Sequence, residues 1–133
     1  MVDPMPREKP KTKTALTWPE YRALALSLNL PHVTEAISWG QPNLKAHGKM
    51  WCWWSPSEDA PVFKVSKEER DMLIELDPAV FFVTDHYRPH GLVLARPDKV
   101  DREWAKGKLL QSWRAMAPKK VLKAWEAANG RHE

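Results

Sequence analysis

Between Asp85 and Gly91 the chain gathers one acid, two histidines, a tyrosine and an arginine in the run Asp85-His86-Tyr87-Arg88-Pro89-His90-Gly91. Asp85, His86 and His90 carry the oxygen and nitrogen donors a metal ion takes. Pro89 and the apolar runs on either side argue against the helix that would align the two histidines, so a hydrogen-bonded loop competes and no metal is expected. Cys52 is the other reactive side chain, and a thiol nucleophile needs exposure and a neighbouring base. It stands in Trp51-Cys52-Trp53-Trp54, where strand alternation puts Met50, Cys52 and Trp54 on one face and Trp51 and Trp53 on the other. A buried structural cysteine is expected there. The chain has no Gly-rich phosphate loop, Gly-x-Ser-x-Gly elbow or His-Glu-x-x-His pattern, so it reads as non-catalytic, with no cofactor.

Cations and aromatics give a stronger signal. The net charge is +4, the isoelectric point is about 9.3, and eight of the 133 residues are tryptophan. A basic balance favours encounter with polyanions. Lys45, Lys49, Lys64, Arg88, His90 and Arg96 all fall on expected strands or their loops, where they can reach phosphates without reading sequence. Trp51, Trp53 and Tyr87 can stack on unpaired bases. The same residues fit a second class, because outward lysines are ordinary on a half-exposed sheet. A tryptophan-rich face is also an adhesive surface for a protein partner or for a homodimer formed through Trp51 and Trp53.

The elements that carry these residues follow from punctuation and periodicity. Val80 to Thr84 and Leu92 to Ala95 read as the two strands of a hairpin whose seven-residue loop projects into solvent. Upstream, Thr17, Pro19 and Glu20 open a helix with a capping box, and Trp18, Tyr21, Leu24, Ala25 and Leu28 form its apolar stripe. Val33 to Trp39 is a short strand, Leu44 to Trp54 is a second with a bend or bulge at Gly48, and Val62 to Val65 is a third. Ser66 with Glu69 opens a second capped helix carrying Met72, Leu73 and Leu76. Asp101 caps a third helix that turns Trp104, Leu109 or Leu110, and Trp113 inward, and Pro118 starts a last one ending at Gly130.

This order predicts an α+β domain of two layers, an antiparallel sheet with helices on one face. At 133 residues the chain is one domain, with residues 1–16 as a disordered basic arm and 17–130 as the folded unit. One cysteine excludes an internal disulfide, and the first residues hold no long apolar run. A cytoplasmic protein with no membrane contact is expected.

A family resemblance rests on particular residues in order. Leu28-x-Leu30-Pro31 leads to Glu35-x-x-Ser38-Trp39-Gly40, then Pro42, Gly48-Lys49, Phe63-Lys64-Val65, Glu68-Glu69-Arg70 and Leu73. Phe82, Thr84, His86-Tyr87, His90-Gly91, Val93, Asp101 and Ser112-Trp113-Arg114 continue it. This pattern resembles the YjbR/MmcQ family. The resemblance implies an α-β(3)-α-β(2)-α two-layer fold and DNA binding by a double wing, here the Leu44 to Trp54 region and the Phe81 to Arg96 hairpin. Its implied contacts are Lys45, Lys49, Arg88, His90 and Arg96. Trp39, His86 and Tyr87 match recurring family positions, either lining a common groove or bracing the hairpin through hydrogen bonds.

Overall fold

In the computed structural model residues 14–129 are described; most of the expected basic arm and the Gly130 cap lie outside them. Leu16, assigned to the arm, belongs to the core instead: it is buried, and its N–H donates to Pro97 O at 2.8 Å. Helix α1 (Trp18–Leu26) begins at Thr17 because two reciprocal bonds satisfy its first free amides. Thr17 Oγ1 accepts from the Glu20 N–H at 3.4 Å, and the Glu20 carboxylate accepts from the Thr17 N–H at 3.2 Å.

An antiparallel meander follows: β1 (Val33–Ser38), β2 (Gln41–Ala46), β3 (Lys49–Ser55) and β4 (Ala60–Lys64). Four strands therefore stand where three were expected. Trp39-Gly40 and His47-Gly48 are two-residue turns with positive φ throughout, 50° and 75° in the first and 55° and 82° in the second. That conformation matches the twist of paired strands. Gly40 thus reverses the chain into a new strand, and Gly48 splits the expected long strand in two.

Next come α2 (Lys67–Leu76), β5 (Phe81–Phe82), β6 (Leu92–Ala95), α3 (Arg102–Met116) and α4 (Lys119–Asn129). The sheet has six strands in the order β1-β2-β3-β4-β6-β5, all pairs antiparallel. This is an α+β architecture with four helices among the described residues. At the start of α2, Ser66 Oγ accepts from the Glu69 N–H at 3.0 Å, but the reciprocal half of the expected box is missing. The Glu69 carboxylate pairs instead with Lys108 of α3, tying the two helices together. No helix among the described residues is long and apolar enough to cross a membrane.

The core lies between one sheet face and helices α1 and α3. Tyr21 OH donates to Val62 O at 2.7 Å, and Trp113 Nε1 donates to Pro31 O at 3.0 Å. The pairing between β2 and β3 shifts by one residue: Leu44 faces Cys52 while Lys45 faces Met50, leaving Trp51 as the extra residue of a bulge. The bulge overturns the expected alternation. Trp51 and Cys52 are both fully buried in the helix-side core, and Trp51 Nε1 donates to Leu109 O and Ser112 Oγ of α3, each at 3.0 Å. Trp51 is therefore a core residue and has no surface to offer a partner. Trp53 alone of that run turns to the opposite face, against Val62 and Leu94.

Candidate nucleic-acid interface

The sheet face away from the helices is half covered. Ala60, Val62, Leu92 and Leu94 are buried there, screened by Trp53, Phe82, Val83 and Tyr87. The expected hairpin pairs only over Phe81 with Ala95 and Phe82 with Leu94. Its connecting segment is exposed from Asp85 to Gly91 except at Tyr87, whose ring turns in over the sheet and covers this second cluster. Tyr87 OH donates to Ser55 Oγ at 2.9 Å, and the Tyr87 and Arg88 amides both donate to Thr84 O, at 3.0 and 2.9 Å.

A buried arginine fixes the far side of the same segment. Arg70 of α2 donates from Nη1 to the carbonyls of Arg88 and His90, at 2.8 and 3.2 Å, and pairs through Nε with Asp71 at 3.0 Å. Gly91 completes the clamp: a Cβ there would lie 2.7 Å from Val65 O, so only glycine allows this approach. Sequence reasoning placed Arg70 only in a family pattern. An arginine within a polar helical stretch gives no sign in the sequence that it is buried and holds a loop twenty residues away.

The expected cationic residues fall into two places. Lys45 lies near the end of β2, Lys49 opens β3, and Lys64 closes β4, so all three stand at one end of the sheet. His90 and Gly91 reach that same end, since Val65 N–H donates to Gly91 O at 3.2 Å and Leu92 pairs with Lys64. Arg88 is exposed beside them, 3.6 Å from Asp85. Arg96 stands at the opposite end of β6, its guanidinium 4.6 Å from the centre of the Phe82 ring. It is separated from the lysine group. Burial, then the neighbouring charge of Lys49, pull the Lys64 amine below the ordinary lysine value.

Trp39, His86 and Tyr87 share one groove of about 350 Å³, together with Asn43, Met50 and Trp53. Its two walls are the β1–β2 turn and the segment after β5. Tyr87 also braces the loop through Ser55, and the His86 ring meets the Tyr87 ring edge-on at 4.8 Å. Trp39 braces nothing: it is 91% exposed. Asn43, Ser55 and Met50 were not anticipated as site residues, because only strand pairing places them beside the aromatics.

Cys52 has no nucleophilic character in this setting. Burial pushes its thiol pKa far up, and no group of three His, Cys, Asp or Glu side chains among the described residues could hold a metal ion.

Fold and face together define a two-layer α+β protein with one helical side and one sheet side that is cationic at one end and aromatic in the middle. The chain belongs to the YjbR family, whose model matches residues 28–115 and so spans every candidate residue named above. Among curated proteins none matches the chain. Among solved structures it is similar to the Deinococcus radiodurans protein DR2400, which carries a DUF419 domain. The two share 20% identity over 87% of this chain and 90% of that one, with a TM-score of 0.65. At that identity the likeness is one of fold.

Proposed function

We propose that this protein binds DNA without catalysis, mainly through phosphates, using the open sheet face and the segment clamped by Arg70. One observation carries the reading: Lys45, Lys49 and Lys64 converge at one sheet end with no acidic partner among the described residues. Several cations elsewhere are paired, Arg22 with Glu35, Arg102 with Glu20, Lys108 with Glu69 and Arg114 with Glu126, so they are less available to a phosphate. Unpaired ammonium groups gathered on one rim offer counterion release to a phosphate backbone. The buried, electrostatically disfavoured Cys52 thiolate supports the non-catalytic part.

Fluorescence anisotropy of a labelled DNA strand, titrated with protein at several salt concentrations, tests this. Affinity falls steeply with salt, and Lys49→Ala and Arg88→Ala each flatten the log–log slope by about one. Binding that ignores ionic strength, or a slope unmoved by either variant, contradicts the reading.

A second reading is favoured by the edge strand β1. Ile37 is 75% exposed and Trp39 91% exposed, and an uncovered edge with apolar side chains suits a protein partner or a second copy. Trp53 on the open face would extend such a contact. Sedimentation over a range of concentrations checks it: a dimer disrupted by Ile37→Asp supports association, and a monomer throughout argues against a homodimer.

A further inference from the structure

We propose that the groove between the β1–β2 turn and the segment after β5 takes a single unpaired nucleobase of the bound strand. This rests on the DNA reading above and adds a site that phosphate contacts do not require. The first support is shape and chemistry. The groove holds about 350 Å³, within the range of roughly 300 to 1,000 Å³ common for small-ligand sites. Its aromatic walls offer flat faces on which any base can stack.

The second support is the backbone at Trp39. Its φ of 50° is left-handed, a region that disfavours side chains other than Gly, Asn and Asp. That conformation presents a large apolar indole almost wholly to water at the mouth of the groove. The β1–β2 turn needs the backbone conformation but not the indole, for which Asn or Gly would serve as well.

The third support is an orphaned acceptor. Asn43 lines the groove and is 2% exposed, yet its Oδ1 has no hydrogen-bond partner. Its Nδ2 donates to Ser38 Oγ at 3.0 Å and to Gln41 O at 3.4 Å. The Gln41 carbonyl can only accept, so it fixes which way the amide faces. A buried acceptor without a partner is costly, and a small shift of the Asn43 side chain toward the groove would let an entering donor supply what it lacks. Adenine, cytosine and guanine all carry exocyclic amine donors; pairing in a duplex consumes one hydrogen of each and stacks both ring faces, whereas an unpaired base offers the whole amine together with its faces. Charge complementarity completes the case: Met50 in the groove is the cross-strand partner of Lys45, so the groove continues into the lysine rim.

The test compares an oligodeoxycytidine strand, an abasic strand of equal length and a duplex, each titrated at low and moderate salt while tryptophan fluorescence is recorded. The base-bearing strand binds roughly 5- to 150-fold more tightly than the abasic one. It quenches tryptophan emission, and it outcompetes the duplex. Trp39→Ala removes the base-dependent advantage but keeps the salt slope, and Trp39→Phe restores part of it. Equal binding of base-bearing and abasic strands overturns the groove assignment and leaves the phosphate reading standing. No binding by any probe at low salt removes both. Self-association abolished by Trp39→Ala, with no quenching by DNA, assigns the groove to a second copy and also overturns the inference.

Discussion

Trp51 and Trp39 belong to the same sheet and carry opposite duties. Trp51 sits in the core with its indole N–H shared between two acceptors on α3. Trp51→Phe removes that donor and is expected to cost about 1 to 3 kcal/mol in urea denaturation, while Trp39→Ala stays within about 0.5 kcal/mol of the parent. Tyr21 and Cys52 make the fold sensitive to alkali. Burial first, and then their mutual contact, raise the Tyr21 pKa; burial raises that of Cys52. Both groups are neutral when folded and ionise more readily when unfolded. Their stabilising effect is full below the unfolded values of about 8.5 and 10 and is lost as pH rises beyond them. Thermal unfolding followed from pH 7 to pH 10.5 should show a falling Tm, and Cys52→Ser should weaken the first part of the fall. Lys64 has the opposite sign. Its amine is lowered in the free protein, and a bound phosphate favours the charged form, so DNA affinity should strengthen as pH falls through the lowered value.

At the scale of elements, the helices were legible and the strand boundaries less so. Thr17 and Asp101 announce α1 and α3 through short-range caps, and each accepts the expected backbone amide. Local chemistry decides a cap, so sequence suffices. The β1–β2 reversal was missed because Trp39 is an unusual residue for a left-handed turn position, and Gly40-Gln-Pro reads as a stop. The bulge at Trp51 was invisible for a different reason: alternation is a rule of regular pairing, and only the partner strand reveals an inserted residue. The groove was legible in part, since Trp39, His86 and Tyr87 were grouped, while Asn43 and Arg70 depend on long-range placement. The loop clamp gives a direct check. Gly91→Ala puts a methyl group against the Val65 carbonyl, so it should lower Tm and loosen the Tyr87 segment, seen as faster amide exchange from Thr84 to Leu92.

On the scale of the whole molecule, the two layers separate stability from recognition. The helical side and the sheet face it covers hold the large buried side chains Trp51, Trp113, Tyr21 and Phe63. The other face keeps only a small cluster and leaves its lysine rim and aromatic groove open. A net charge of +4 draws polyanions to the surface in general, and this face joins its lysine rim to an aromatic groove. The most direct test of that division is an NMR titration of isotope-labelled protein with a short single strand at low salt. Resonances of Lys45, Lys49, Met50, the Trp39 indole and the segment from His86 to His90 should shift together, with α3 and α4 unmoved. Shifts confined to the helical side, or no shifts at all, would contradict the account.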